Sequence, residues 1–392
     1  MVLGEGAMMP VRVEVAPALL QWAVERAGWD DATAAQRVPK LGAWLTGDSR
    51  PTLKELQAFA RRTHAPFGLL FLRDPPVEEI PIPDMRTVGS TRLARPSADL
   101  LETIYICQRR QDWFRSFAQE NGLEPLSFVG SVSLKDEAAT VASEMRENFE
   151  LDPVEPLEGR DSREARRSLT EKIEDAGVLV MVNGIVGADT HRKLQVEEFR
   201  GLALADDLAP LLFVNGSDAY TAQVFTMVHE FAHLWLGNSA LSDAVPGESD
   251  GHAEELWCNA VAAEFVVPMP RLRADYAGST DVEELRRLSG IYHVSSAVIL
   301  KRLFDGGFLQ WADYRARYDE EAERVRNLPP RSSGRGGGQF YATQPWRLGR
   351  SFAQAVVGST LSGDTSYRDA YKLLGIKKHR TFTKLAEELG VG

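Results

Sequence analysis

The sequence predicts an α+β protein in which helical ends enclose a central unit with a small sheet. Three observations carry this. Apolar residues at helical spacing, with capping and stop signals, run through residues 15–72. Apolar, valine-rich runs of strand length are confined to residues 177–214. Two apolar helices follow them directly, and the first holds His229-Glu230-Phe231-Ala232-His233.

The 392 residues give room for two or three domains. Hydrophobic residues at 44% and charged residues at 26% match a soluble globular composition. The formal charge of −11 argues against a polycation that coats nucleic acid. That charge is uneven: residues 11–76 carry +2, residues 341–392 carry +4, and the remainder holds −17. Mildly basic ends fit contact with something anionic without demanding it. Cys107 and Cys258 make no disulfide framework, which fits a reducing compartment. No basic-then-apolar leader and no run long enough to span a bilayer is read, so a cytoplasmic location is expected.

Residues 11–75 read as a helical domain. One helix covers 18–27, a second 32–37 behind a cap at Asp31, and a third about 40–45, stopped by Gly47. Pro51-Thr52-Leu53 opens a fourth, running to about residue 63, and a last apolar turn covers 66–72. The pattern Gly47-x-x-x-Pro51-Thr52-x-x-x-Leu56-x-x-x-Ala60 resembles the helix-turn-helix domain of small phage-type repressors. Its candidate DNA contacts are Lys40, Thr46 and Arg50. The stretch matching a recognition helix offers only Lys40 and Thr46, a sparse set beside the Gln, Ser, Asn or Arg that usually read base edges.

Residues 76–130 hold a connector rich in proline, expected to pack on the body, and a long helix over about 97–119. Residues 131–275 form the core: an amphipathic helix over 131–150, strands over 177–182, 199–205 and 211–214, and helices over about 220–237 and 254–267, the last ended by Pro268. Residues 276–326 form a small helical, helix-turn-helix-like unit, with helices over 284–290, 295–304 and 311–326. Residues 327–339 read as a linker. Residues 340–392 form a helical tail ending in two short helices, over 366–374 and 382–389. No internal repeat is read.

The chemistry lies in the core. His229 and His233, at i and i+4, share one helix face and suit two nitrogen ligands on one Zn2+. Glu230 stands beside them to act on water, and Gly237 lets the helix stop. A third histidine six residues after His233, with Gly at the third, would mark a metzincin; Ser239 and Leu236 stand there instead. Glu255 on the next helix is the better third ligand. Asn259, four residues on, can bond a motif histidine and fix its tautomer. Glu254, one residue round the helix, is the rival ligand, and Asp243 and Asp250 are weaker ones. Cys258 reads as a small core residue, and His64, His191 and His379 as surface residues.

Two His and one Glu leave a position open for water. Glu230 would take the water proton during attack on a peptide carbonyl and pass it to the leaving amine. Tyr220, His252 and His293 are candidate donors to the oxyanion. The strand over 199–205 is expected at a sheet edge, where substrate adds as a further strand. One Zn2+ per chain is the expected cofactor, and Mn2+ or Fe2+ also suit the ligands.

Together these pieces resemble the ImmA/IrrE family of bacterial metallo-endopeptidases, in the long form with an N-terminal phage-repressor-type (XRE-like) domain. Phe225-Thr226-Met227-Val228-His229-Glu230-Phe231-Ala232-His233 is similar to its zinc helix. Glu255-x-x-Cys258-Asn259-x-x-Ala262-Ala263-Glu264-x-x-x-Pro268 is similar to its third-ligand helix, and the segment 294–303 to the helical unit that follows. Pro51-Thr52-Leu53, Asp74-Pro75-Pro76 and Asp84-Met85-Arg86-Thr87 are similar to its N-terminal half. The resemblance implies a zincin-like core, with His229, His233 and Glu255 as ligands and Glu230 as base. It implies cleavage of a partner repressor in a stress or mobile-element response. Its alternative is a DNA-binding or toxin-neutralising regulator with a quiescent zinc site. One departure stands out: the family's first domain often carries Trp-Glu before the Gly, and here the text is Trp44-Leu45-Thr46-Gly47.

Overall fold

Local capping chemistry starts many of the helices in the computed structural model, which describes residues 11–86, 96–242, 253–326 and 340–391. The chain divides into two compact units, 1–81 with 93–102, and 82–92 with 103–392.

The first unit contains α1 (Pro17–Arg26), α2 (Asp31–Arg37), α3 (Leu41–Thr46), α4 (Leu53–Thr63) and a 3-10 turn over Phe67–Phe71. Its core gathers Leu19, Leu20, Trp44, Leu56, Phe59 and Leu70. The cap of α2 is Asp30, whose carboxylate accepts from the Thr33 amide, so Asp31 is the first helical residue rather than the expected cap. Thr52 and Glu55 close a reciprocal capping box at the start of α4. Helix α5 (Ala98–Glu120) begins in this unit and continues in the second.

In the second unit follow α6 (Ala138–Asn148), α7 (Ser162–Asp175), β1 (Leu179–Asn183), β2 (Ile185–Val186), β3 (Asp189–Lys193), β4 (Gly201–Leu204) and β5 (Leu211–Asn215). Then come α8 (Tyr220–Leu236), β6 (Ala240–Ser242), α9 (Ala253–Val266), α10 (Met269–Asp275), α11 (Val282–Tyr292), α12 (Ser296–Asp305) and α13 (Trp311–Arg326). The last are α14 (Phe340–Leu348), α15 (Arg350–Ser362), α16 (Tyr367–Leu374) and α17 (His379–Leu389). The result is a mixed α+β fold, and none of the described helices is long and apolar enough to cross a membrane.

The sheet runs β1-β5-β4-β6, with β1 and β5 parallel and the other pairs antiparallel. This corrects the expectation that 199–205 is an edge. Strand β4 lies between β5 and β6, because the three residues of β6, too few to read in the sequence, pair along it. Beyond β6 the connector itself is docked: Leu241 N–H donates to Pro83 O, and Met85 N–H to Leu241 O, both at 2.9 Å. Arg86 holds that segment by bonding Asp84 and the Glu198 carbonyl.

Other differences have local causes. The helix expected over 131–150 starts only at Ala138, because the Asp136 carboxylate accepts from both the amide and hydroxyl of Ser133 and makes a turn. Helix α7 was hidden by its charge; only Ala165, Leu169 and Ile173 make its inward stripe. Strand β3 is polar and mostly exposed, so it gives no strand signal. In the tail, two further helices precede the two expected: α14, which carries Pro345 inside it, and α15.

Helix α8 lies on β4 and β5, and α9 packs on both α8 and α6. Two buried arginines fix the end of α9. Arg146 donates to the carbonyls of Phe265, Asp152 and Glu155. Arg302 of α12 donates to Val267 O at 3.0 Å and pairs with Glu264, whose other oxygen accepts from the Met269 amide.

Candidate metal centre

Helix α8 is buried almost all round from Gln223 to Trp235, so its polar side chains are aimed into the protein rather than at water. Its C-terminal end is set by Gly237, which has φ +73°. A Cβ there would also stand 2.9 Å from Gly130 Cα. Gly130 and Val132 donate to the last-turn carbonyls of Leu234 and Trp235, and the Gly237 amide donates to Leu234 O as well. On α9, Glu254 and Glu255 sit in the first turn, where the helix dipole favours negative charge.

These two helices bring three ligand atoms together. His229 Nε2 and His233 Nε2 are 3.2 Å apart, Glu255 Oε1 is 3.1 Å from His233 Nε2, and Glu255 Oε2 is 3.3 Å from His229 Nε2. All three residues are buried, and among the described residues they form a possible metal-holding group. Ligands about 2.0–2.1 Å from one tetrahedral Zn2+ stand roughly 3.3 Å from each other. The triangle therefore fits a single divalent ion.

The surroundings select the ring atoms. His233 Nδ1 lies 3.0 Å from Glu254 Oε1, which leaves Nε2 as its ligand atom. Glu254 thus stands behind His233 rather than inside the ligand triangle, against its reading as a rival ligand. Asn259 lies close enough to His229 to influence its ring, while His229 Nδ1 and Asn259 Oδ1 are buried and make no hydrogen bond among the described residues. Burial holds His229 below the usual histidine range. For Glu255, burial raises the carboxyl, but the hydrogen bonds and charges of the two imidazoles outweigh it and keep it low and ionised. Burial lowers His233 as well, but Cys258, Glu254 and Glu255 together hold it well above the ordinary value. That pull toward positive charge is one a metal cation satisfies.

Glu230 is fully buried beside the triangle, and burial pushes its carboxyl up to about 8 in the absence of an ion. Its Oε1 has no hydrogen-bond partner among the described residues. Two residues that sequence reasoning passed over shape its setting. Ser242 Oγ stands 3.5 Å from Glu230 Oε2 and 3.4 Å from both His233 Nε2 and Glu255 Oε1. Gly201 backs directly onto the glutamate: a Cβ there would meet Glu230 Oε1 at 2.5 Å. A glycine in a strand is a signal of close backbone approach, and Gly201 gave it. Ser242 gave none.

The remaining candidates are dispersed. Tyr220 begins α8, nine residues before His229, so it lies roughly 14 Å along the axis on the opposite face, where it stacks under Arg166. His293 caps α11 in a left-handed conformation and bonds the Gly159 backbone. Neither stands at the triangle. His252, Asp243 and Asp250 lie outside the described residues. Cys258 is buried, His191 and His379 are exposed, and His64 is half-buried. In the first unit, Lys40 pairs with Glu55 at 2.7 Å and Arg50 with Glu14 at 3.3 Å. Thr46 donates to Asp48 and to the Gly42 carbonyl.

Residues 173–304 match the family model of the IrrE N-terminal-like domain, a peptidase family designated M78. The match covers α8 and α9 and supports the resemblance to the ImmA/IrrE family over that stretch. It implies a metallopeptidase. Residues 348–388 match a domain of unknown function, DUF8813. Comparison with curated proteins found no match.

Proposed function

We propose that this protein is a zinc-dependent endopeptidase that cleaves a regulatory, repressor-like partner protein. The observation that carries the reading is the buried His229–His233–Glu255 triangle with Glu230 beside it, inside the stretch that matches the peptidase family.

His229, His233 and Glu255 would hold the ion, with Glu254 and Asn259 fixing the two imidazoles. A divalent ion there supplies Lewis acidity, polarising the scissile carbonyl and making water a better acid. Glu230 takes the proton of the attacking water and delivers it to the leaving amine. Ser242, at the outer limit of hydrogen-bond distance, steadies the glutamate. The backbone at Gly201 prevents the glutamate from swinging away. Burial of the site excludes competing water and strengthens each of these interactions. With β4 enclosed and the edge of β6 taken by residues 83–85, substrate does not add as a strand there.

The test is a pair of variants. Glu230→Gln should keep the metal and lose cleavage, whereas His229→Ala should lose the metal. Normal turnover by Glu230→Gln ends the peptidase reading.

A further inference from the structure

The C-terminal helices carry the protein's most concentrated positive charge. Residues 366–386 hold Arg368, Lys372, Lys377, Lys378, Arg380 and Lys384 against one acid, Asp369, in a chain of net charge −11. All six cations are exposed. Arg368 and Lys372 lie one turn apart on α16, Arg380 and Lys384 one turn apart on α17, and Lys377 and Lys378 sit in the turn between. Lys372 bridges to Asp369, but Lys377, Lys378 and Arg380 have no ion-pair partner among the described residues. Glu387 and Glu388 lie in the last turn of α17, and Asp364 precedes α16.

The scaffold beneath them suits presentation. Helix α15 packs on both α16 and α17, burying Phe352, Val356 and Thr360 together with Leu374, Phe382, Leu385 and Leu389. The four residues 375–378 join α16 to α17, and Tyr371 Oη bonds His379 Nδ1 at 2.9 Å across that turn. Three helices with a short turn before an exposed final helix have the organisation of a helix-turn-helix unit, whose last helix enters the major groove. Helix α17 has 11 residues, whereas α3, the corresponding helix of the first unit, has six and no cation of its own, and Lys40 before it and Arg50 after it are paired with Glu55 and Glu14.

We propose that α15–α17 bind the phosphate backbone of double-stranded DNA, with Lys377, Lys378 and Arg380 as principal contacts. Exposed cations in the turn, followed by Arg380 in the first turn of α17, suit a line of phosphates. A membrane surface is disfavoured because the apolar faces of α16 and α17 are used in the core, leaving Tyr367 as the exposed large apolar side chain there.

The test uses the full chain and a fluorescent duplex of about 25 base pairs, with anisotropy read over about 50–200 mM salt. Wild type should bind, more weakly as salt rises. The triple variant Lys377→Glu, Lys378→Glu, Arg380→Glu should bind at least tenfold more weakly, with a salt slope shallower by about 3. Lys40→Glu with Arg50→Glu should leave binding unchanged. Circular dichroism checks folding, and exchanging Lys and Arg at the three positions should preserve binding. The proposal is overturned if wild type fails to bind at low salt, if the triple variant keeps affinity and slope, or if polyglutamate or phosphatidylserine vesicles bind where the duplex does not.

Discussion

A single methyl group at Gly201 should disable the site without removing its metal. Alanine there would place Cβ 2.5 Å from Glu230 Oε1, 2.8 Å from Glu230 Cγ and 2.7 Å from Thr226 Cγ2. Ordinary contacts of this kind lie near 3.5 Å, so the glutamate or β4 must move by about 1 Å. Strand β4 is held on both sides, by β5 and β6, so the side chain is the part free to yield. A displacement of that size at a catalytic group costs about 100-fold in rate, and overpacking costs about 1–3 kcal/mol in stability. None of the three close contacts is with His229, His233 or Glu255, the proposed metal ligands. Gly201→Ala should therefore keep full metal content by elemental analysis while cleaving the partner protein, obtained by co-purification with tagged Glu230→Gln, about 100-fold more slowly. Wild-type cleavage by metal-loaded Gly201→Ala would refute the placement of Glu230. Loss of metal would refute the separation between glutamate and ligands.

Two further predictions concern electrostatics. Glu254→Ala removes the partner of His233 Nδ1 and should weaken metal affinity 10- to 100-fold in a buffered-metal titration; unchanged affinity would show that the contact does not orient the ring. Glu174, whose carboxylate accepts from the Ser351 amide, is pushed up to about 7 by burial, above its unfolded value of 4.5. Its contribution to stability is present below pH 4.5 and is lost as pH rises through 7, about 3 kcal/mol in all. Denaturation of Glu174→Gln should show less of this decline than wild type between pH 5 and 8, about the range set by those two values; identical profiles would contradict it.

The helix carrying His229 and His233 was legible because its signals are local: two imidazoles four apart, an apolar surround and a stop at Gly237. Glu255 was legible as a candidate because it opens the next helix. It was also preferred over Glu254, one residue round the helix, with Asn259 four residues on along the same face; that Glu254 instead backs His233 Nδ1 came only with the packing of α9 on α8 and α6. Ser242 was invisible because β6 is three residues long and exists through its pairing with β4. The same pairing overturned the expected edge position of residues 199–205. Helix α7 was missed because a charged surface helix needs only a thin apolar stripe. Tyr220 and His293 are side chains of a suitable type that the structure shows engaged with Arg166 and with the Gly159 backbone.

The most direct measurement adds wild-type protein to the partner captured on Glu230→Gln and follows the mixture by intact mass. The account predicts one internal cut in the partner, stopped by chelation and restored by Zn2+. A partner that stays whole under wild-type protein with its metal bound would contradict it.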